Sequence, residues 1–419
     1  MRTNKRNIVL YLASQIVSLF GSSLAQCVVF WYITLETQSG TMMTVAVIAG
    51  FLPTFLVSPF AGVWADRYDR KKIIMLADGL IAVATLALVA AFRLGYGSVW
   101  VIIAVMAVRG FGQGIQQPAV SAFLPQLVMP EQLMRVNSIN SSAQSAMMLI
   151  SPALGGVLFT LFPIEVVFAV DVVTAALAIV ILRFFVKSEK QAISPTREKV
   201  SYFGDLRQGI SYIRKHPFVG RFFAYMIPLS VLIAPVAILF SLQITQKFGA
   251  DAWRLSVNDA VFAVGMLMGS VLMMTWGGFK NRATTIAVGC AAMSVGTIAY
   301  GLVPTFWLFV AFSVLIGLSM VMFSTPSTVI LQEKVDNEYL GRVMSIMSMM
   351  MTLGLPVGLL IFGPIADVIG LWLEFVLTGA AMLGITIAFA ADRKMRAAGL
   401  RLDAEPALIN NEPAVPADS

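Results

Sequence analysis

At 419 residues, 58% of them hydrophobic and 12% charged, the chain is too apolar for a soluble globular protein, in which about a quarter of residues are charged. Its formal charge of +7 does not make it a nucleic-acid binder, because the cations fall in loops between apolar runs of about 20 residues, the length that crosses a bilayer. Two isolated cysteines, Cys27 and Cys290, and one histidine, His216, supply no cluster for a metal or cofactor and no argument for a disulfide.

The predicted elements are a series of helical spans. Six apolar runs occupy roughly residues 8–34, 44–64, 73–92, 98–123, 139–162 and 164–186. Six more lie at roughly 222–245, 257–276, 284–303, 305–331, 343–367 and 371–391. The first run is far longer than the ~7–15 apolar residues of a signal-peptide core, so it is expected to stay as a span. The expected fold is all-α and integral to the membrane, with about twelve transmembrane helices in two halves. The expected divisions are an N-terminal six-helix half at 1–186, a central loop at 187–220, a C-terminal six-helix half at 221–391 and a disordered tail at 392–419.

Lysine and arginine orient the chain. One set of alternate loops holds about 25 cations, and the other holds about three, Arg93, Lys247 and Arg254. The rich side, with both termini, is therefore expected to face the cytoplasm across the inner (cytoplasmic) membrane. In the central loop Tyr202, Phe203, Leu206, Ile210 and Ile213 recur at helical spacing, and Asp205, Arg207, Gln208, Arg214 and Lys215 face away until Pro217 stops the pattern. This reads as an amphipathic helix lying on the inner leaflet, its cations near anionic lipid.

The halves echo each other. Arg135-Val-Asn-Ser-Ile139 precedes the fifth span and Arg342-Val-Met-Ser-Ile346 the eleventh, while Pro118 and Pro326 stand near the inner ends of the fourth and tenth. The charged turn after the second span has a counterpart without acids at Gly277-Gly-Phe-Lys-Asn-Arg282, expected to keep only its charge. Three features in matching positions point to a duplication of six-span halves, as in transporters with alternating access.

Polar residues inside the spans mark candidate sites. Arg109 lies mid-span, where an arginine costs about 2.5–3.5 kcal/mol on insertion scales, so it should face a cavity or a partner. Gln113 and Gln117 follow on the same face, and Gln15, Ser18, Ser22 and Gln26 form a second stripe in the first span. Two such stripes suggest a shared aqueous cavity, although interhelical hydrogen bonding also accounts for the glutamines and serines. Asp171 lies inside the sixth span, and two readings stay open for it: a carboxylate that exchanges protons, or a structural partner for a cation. Asp78 is expected to pair with the basic turn, Glu374 is a shallow acid of the twelfth span, and Glu36, Glu165 and Asp367 are expected to be solvated at the outer rim. Methionines such as Met320 and Met347 suit a cavity that accepts varied apolar shapes, and they equally suit membrane-core packing. Trp31, Tyr32, Trp100 and Trp307 are placed for interfacial belts. No Walker loop, nucleophile triad or other catalytic cluster is present, so an enzyme is not expected.

The turn itself, Gly62-x-x-x-Asp66-Arg67-x-x-Arg70-Lys71-Lys72, resembles the loop motif of the major facilitator superfamily, with Asp69 where that family usually has glycine. Arg109-x-x-x-Gln113-Gly114 resembles a second motif of the same superfamily, whose arginine is linked to proton coupling. Stretches such as Gly50-Phe-Leu-Pro53, Ile150-Ser-Pro-Ala153 and Glu338-Tyr-Leu-Gly-Arg-Val343 are similar to its macrolide-efflux (Mef-type) drug antiporters. The resemblance implies a proton-coupled exporter of a small amphiphilic drug, in which Gly62, Asp66, Arg67, Arg70 and Lys71 form the gating motif. It implies a coupling role for Arg109; Asp171 and Asp78, as acids within spans, are the further coupling candidates, and the stripes and methionines make Gln15, Ser22, Gln26, Gln113, Gln117, Met320 and Met347 the candidates for substrate contact. Export of a siderophore, lipid or peptide by the same fold is the alternative, and a membrane sensor or assembly factor that transports nothing is a third.

Overall fold

The structure, a computed structural model, describes residues 5–186 and 202–400, without the side chains of Lys5, Asp66, Pro130, Glu131, Tyr202, Phe203 and Asp205. The first six helices are α1 (Lys5–Thr37), α2 (Gly40–Arg67), α3 (Arg70–Arg93), α4 (Val99–Leu127), α5 (Pro130–Leu161) and α6 (Ile164–Phe185). Helix α7 (Tyr202–Lys215) leads into a seventh span made of α8 (Pro217–Ala234), a π-helical turn (Pro235–Leu239) and α9 (Phe240–Phe248). The remaining spans are α10 (Ala252–Trp276), α11 (Arg282–Leu302), α12 (Phe306–Lys334), α13 (Asn337–Ile369) and α14 (Leu371–Ala391), followed by the short α15 (Arg393–Ala398). Among the described residues twelve spans are long and apolar enough to cross a membrane, and the chain is a multi-pass membrane protein.

Each half repeats one packing scheme. Helix α2 packs most extensively on α4 and α3 lies against α4 and α6; α10 packs likewise on α12 and α11 against α12 and α14. Glycines bring α2 and α4 into backbone contact. A Cβ on Gly110 would lie 2.9 Å from the carbonyl carbon of Gly50, and Thr54 Oγ1 donates to Gly110 O at 2.7 Å. The π turn begins at Pro235, which contributes no N–H to the helical ladder; the wider turn accommodates that loss inside the bundle.

The two charged turns are clamps at matching positions. Arg70, the first residue of α3, donates from Nε to Ala65 O and from Nη1 to Ala122 O, both at 2.7 Å, tying α3 to the ends of α2 and α4. Lys71 Nζ reaches Arg183 O at 3.1 Å and Val186 O at 2.7 Å, so a cation closes the C-terminus of α6. Arg67 is exposed. Arg282, the first residue of α11, grips Glu333 of α12 with both arms, Nε–Oε2 being 2.8 Å. The second turn thus keeps more than its charge, because Glu333 of the neighbouring helix holds its arginine.

Two further expectations are corrected and one is extended. The apolar side of α7 rests on the protein's own bundle: Gly209 abuts Ile346 and Arg342, Ile213 is buried and Tyr212 stacks on Tyr339 at 4.5 Å. Ile210 is exposed. Pro217 does not merely stop α7. It starts α8 at the first helical position, with His216 Nδ1 accepting from the Val219 N–H at 3.3 Å as cap. The start of the expected disordered tail is ordered: Asp392 caps α15, Met395 is buried, and Arg282 N–H donates to Gly399 O at 2.7 Å. The rest of that tail, like residues 187–201 of the central loop, lies outside the described residues.

The α2–α4 contact is directly testable. Gly110→Ala is expected to destabilise the purified protein by about 1–3 kcal/mol through overpacking. Gly79→Ala, in open space on α3, should leave the thermal unfolding midpoint no lower and raise it slightly, since alanine is the better helix former.

Candidate functional site

Within the first six helices lies an open cavity of about 520 Å³, inside the ~300–1,000 Å³ range of small-molecule pockets. Its wall runs from Asn140, Gln144 and Ser121, toward the end that carries the basic turns, to Phe30, Val47 and Met106, toward the opposite or far end. All its lining residues come from α1, α2, α4 and α5. Gln15, Ser22, Gln26, Arg109, Gln113 and Gln117, all singled out in the sequence, line it together. The two stripes thus share one cavity because α1 and α4 both face it. Ser18, Ser23, Thr54 and Gln116 add to a wall of amides and hydroxyls, and no carboxylate is among the described residues that line it. Met320 and Met347 do not line this cavity, and Met347 is packed in the hydrophobic core.

Behind the wall is a buried charge pair. Arg109 Nη1 on α4 donates to Asp171 Oδ2 on α6 and to Thr85 Oγ1 on α3. Thr85 Oγ1 donates to the same carboxylate oxygen at 2.9 Å, and Ser22 Oγ of α1 donates to Asp171 Oδ1 at 3.2 Å. Arg109 is 4% exposed and Asp171 0%. Gly21 makes room for this arrangement, since a Cβ there would lie 2.9 Å from the Asp171 Cα. Among the described residues Arg109 Nη2 has no hydrogen-bond partner, so the guanidinium holds the carboxylate with one arm.

Asp78 does not meet the basic turn. It lies inside α3, 2% exposed, and accepts from Ser18 Oγ at 3.3 Å and from Gln116 Nε2. Eight residues of helix separate it from Arg70, about 12 Å at 1.5 Å per residue. Gln116 was missed in the sequence, although a step of seven from Arg109 also returns to the same helical face. Asp66 itself ends α2, and its side chain is outside the described residues.

The hydrogen bonds that join the two halves cluster at the far end. Ser256 Oγ of α10 donates to Pro152 O of α5 at 2.7 Å, and Gln246 Nε2 donates to Gln38 O at 3.0 Å. Trp31 is buried rather than belted: its Nε1 donates to Asp259 Oδ2 of α10 at 3.2 Å. Asp259, at the head of the eighth span, was not singled out in the sequence. Trp100 and Trp307 are exposed at the far end as expected of interfacial residues. The bundle is thus sealed at the far end, and its cavity runs toward the basic one.

A profile of the Major Facilitator Superfamily matches residues 11–354 and 233–407. The chain belongs to this superfamily. It is 31% identical over 384 residues to macrolide efflux protein A of Streptococcus pyogenes, covering 90% of this chain and 93% of that one. It is also similar to the staphyloferrin A transporter of Staphylococcus aureus, at 20% identity over 90% of this chain and 94% of the other. Among solved structures, a bacterial homologue of the human lysosomal transporter Spinster, in an inward-facing and unoccupied conformation, superposes with a TM-score of 0.69 at 15% identity. That match covers 95% of this chain and 98% of the other, and it shows the shared fold.

Arg109→Ala strands a carboxylate in the bundle and is expected to destabilise the protein by about 3–5 kcal/mol. The double replacement Arg109→Leu with Asp171→Leu should recover much of that loss, read as the thermal unfolding midpoint in detergent.

Proposed function

We propose that this protein is a secondary exporter that moves an amphiphilic drug, a macrolide in the first instance, out of the cell in exchange for protons by alternating access. The observation that carries the reading is the cavity wall. Its amides and hydroxyls donate and accept in every direction, the charged residue among the described lining is Arg109, already paired with Asp171, and Leu19, Phe51 and Val120 supply apolar surface. Such a wall suits a large molecule rich in hydroxyl, ether and carbonyl oxygens better than a small multiply charged one. Kinship with macrolide efflux protein A supports the same substrate class.

With the basic end in the cytoplasm by the positive-inside rule, the cavity is loaded from the cytosol or the inner leaflet. The termini are then cytoplasmic, and the membrane is the cell's inner one. Asp171 is the carboxylate of the coupling pair. When it takes up a proton, its hold on Arg109 weakens, and α1, α3, α4 and α6 are freed to adjust together. Asp78, tied to Ser18 and Gln116 of the wall, is a second acid through which cavity contents and protonation can influence each other. Asp66 and Arg70 belong to the gate at the basic end.

A second reading, export of a siderophore, has the staphyloferrin A relative in its favour. A drug panel in an efflux-deficient host separates the two. Expression should raise the inhibitory concentration of at least one macrolide several-fold and lower its accumulation. A protonophore should abolish the effect, as should Asp171→Asn at matched membrane levels. Unchanged susceptibility across the panel removes the drug reading. Full activity of Arg109→Ala and Asp171→Asn removes the coupling roles.

A further inference from the structure

Away from the cavity, one carboxylate binds the two halves together. Asp367, near the C-terminus of α13, accepts from Ser39 Oγ at 2.8 Å, from the Gly40 N–H at 2.6 Å and from the Thr41 N–H at 2.9 Å. Ser39 is the N-cap of α2, and Gly40 and Thr41 are its first two residues. Their N–H groups have no acceptor within their own helix. A residue of one half therefore caps a helix of the other, and its negative charge meets the positive end of the α2 dipole. Far from being simply solvated at the rim, Asp367 is held by three donors.

The contact beneath the cap is backbone on backbone. A Cβ on Gly363 would lie 2.7 Å from Gly40 O and 3.1 Å from the Thr44 Cβ, so only glycine lets α13 come this close. Thr44 Oγ1 then reaches across to Leu359 O at 2.9 Å. The residues that carry the cap, Gly363-Pro-Ile-Ala-Asp367, have the same Gly-x-x-Ala-Asp pattern as Gly62-Val-Trp-Ala-Asp66, which closes α2 at the basic end. Helices α2 and α13 pack against each other, and each ends in this pattern at an opposite end of the bundle.

We infer that Asp367 is a positioning residue for transport, a latch that holds the far end shut by capping α2 across the halves and that releases whenever the cavity turns to the far side. The inference rests on the alternating-access reading above. A cap within one rigid half would last through the cycle, whereas all three of these bonds join parts that must separate. Asp367 and Thr41 are exposed, so water replaces the bonds on release without stranding a buried charge. Two of the three donors are backbone groups that no substitution removes, which makes the carboxylate the controlling partner.

The test measures the far-end opening with no drug present. Tyr96 and Trp307, 74% and 67% exposed at the far ends of the two halves, are replaced by cysteine in a Cys27→Ser, Cys290→Ala background and spin-labelled. Pulsed electron paramagnetic resonance then gives the distance distribution in lipid nanodiscs. Asp367→Ala is expected to enlarge a longer-distance population, raising the open-to-closed ratio by a factor of about 5 to 30, the equivalent of losing a good helix cap. Asp367→Asn keeps the shape and loses the charge. It should raise the ratio by a smaller factor, and it carries the test if Asp367→Ala does not fold. Distributions that superimpose on the parent overturn the latch, even where the melting temperature falls, because Asp367 would then serve only the fold. Failure of the parent protein to confer drug resistance would strike the efflux reading and leave this measurement standing.

Discussion

The Arg109–Asp171 pair is the constraint around which the N-terminal half is arranged. Both charges are buried, Asp171 completely, so each is tolerable only while the other and its hydroxyl partners stay in place. Helix α4 supplies the guanidinium, α6 the carboxylate, α3 Thr85 and α1 Ser22. Four helices are thereby committed to one geometry, and two of them also face the cavity. Any change in the charge of Asp171 therefore bears on all four.

The C-terminal half is built on the same plan with a different emphasis. Its clamp, Arg282 with Glu333, lies at the basic end, whereas its buried polar network of Asn258, Ser313 and Tyr300 pairs neutral groups with one another. Its contribution to the far end is contact: Ser256 against α5, and Gly363 and Asp367 against α2. The polar wall belongs to one half and the closing face to the other.

Much of the architecture was legible because bilayer physics leaves few choices. Span number followed from apolar length, and the presence of a partner for Arg109 from the expense of leaving it alone. Identifying that partner was harder, since Asp171 lies 62 residues away and only the fold brings α4 to α6. Asp367 looked like a rim acid because nothing local reveals that another helix begins beside it. Trp31 read as a belt residue from its place near a span end, although its indole is turned inward to Asp259 across the halves. Met347 suited a drug cavity by chemistry alone, and the packing of α13 placed it in the core. Helix α15 escaped notice because a short polar segment shows no period until it docks on the turn before α11. The misreadings share one cause: they concern which surfaces meet, which depends on residues far apart in the chain.

The confinement of the cavity wall to α1, α2, α4 and α5 has a consequence for how such a protein can diversify. Selectivity and leverage are written in separate stretches of the chain. The residues that face the cavity are not those by which α13 meets α2: Gly363 packs on Gly40 and Thr44, none of which lines the wall. Substitutions among the amides and hydroxyls of the wall therefore alter the shape and polarity of the cavity without touching the seam between the two halves.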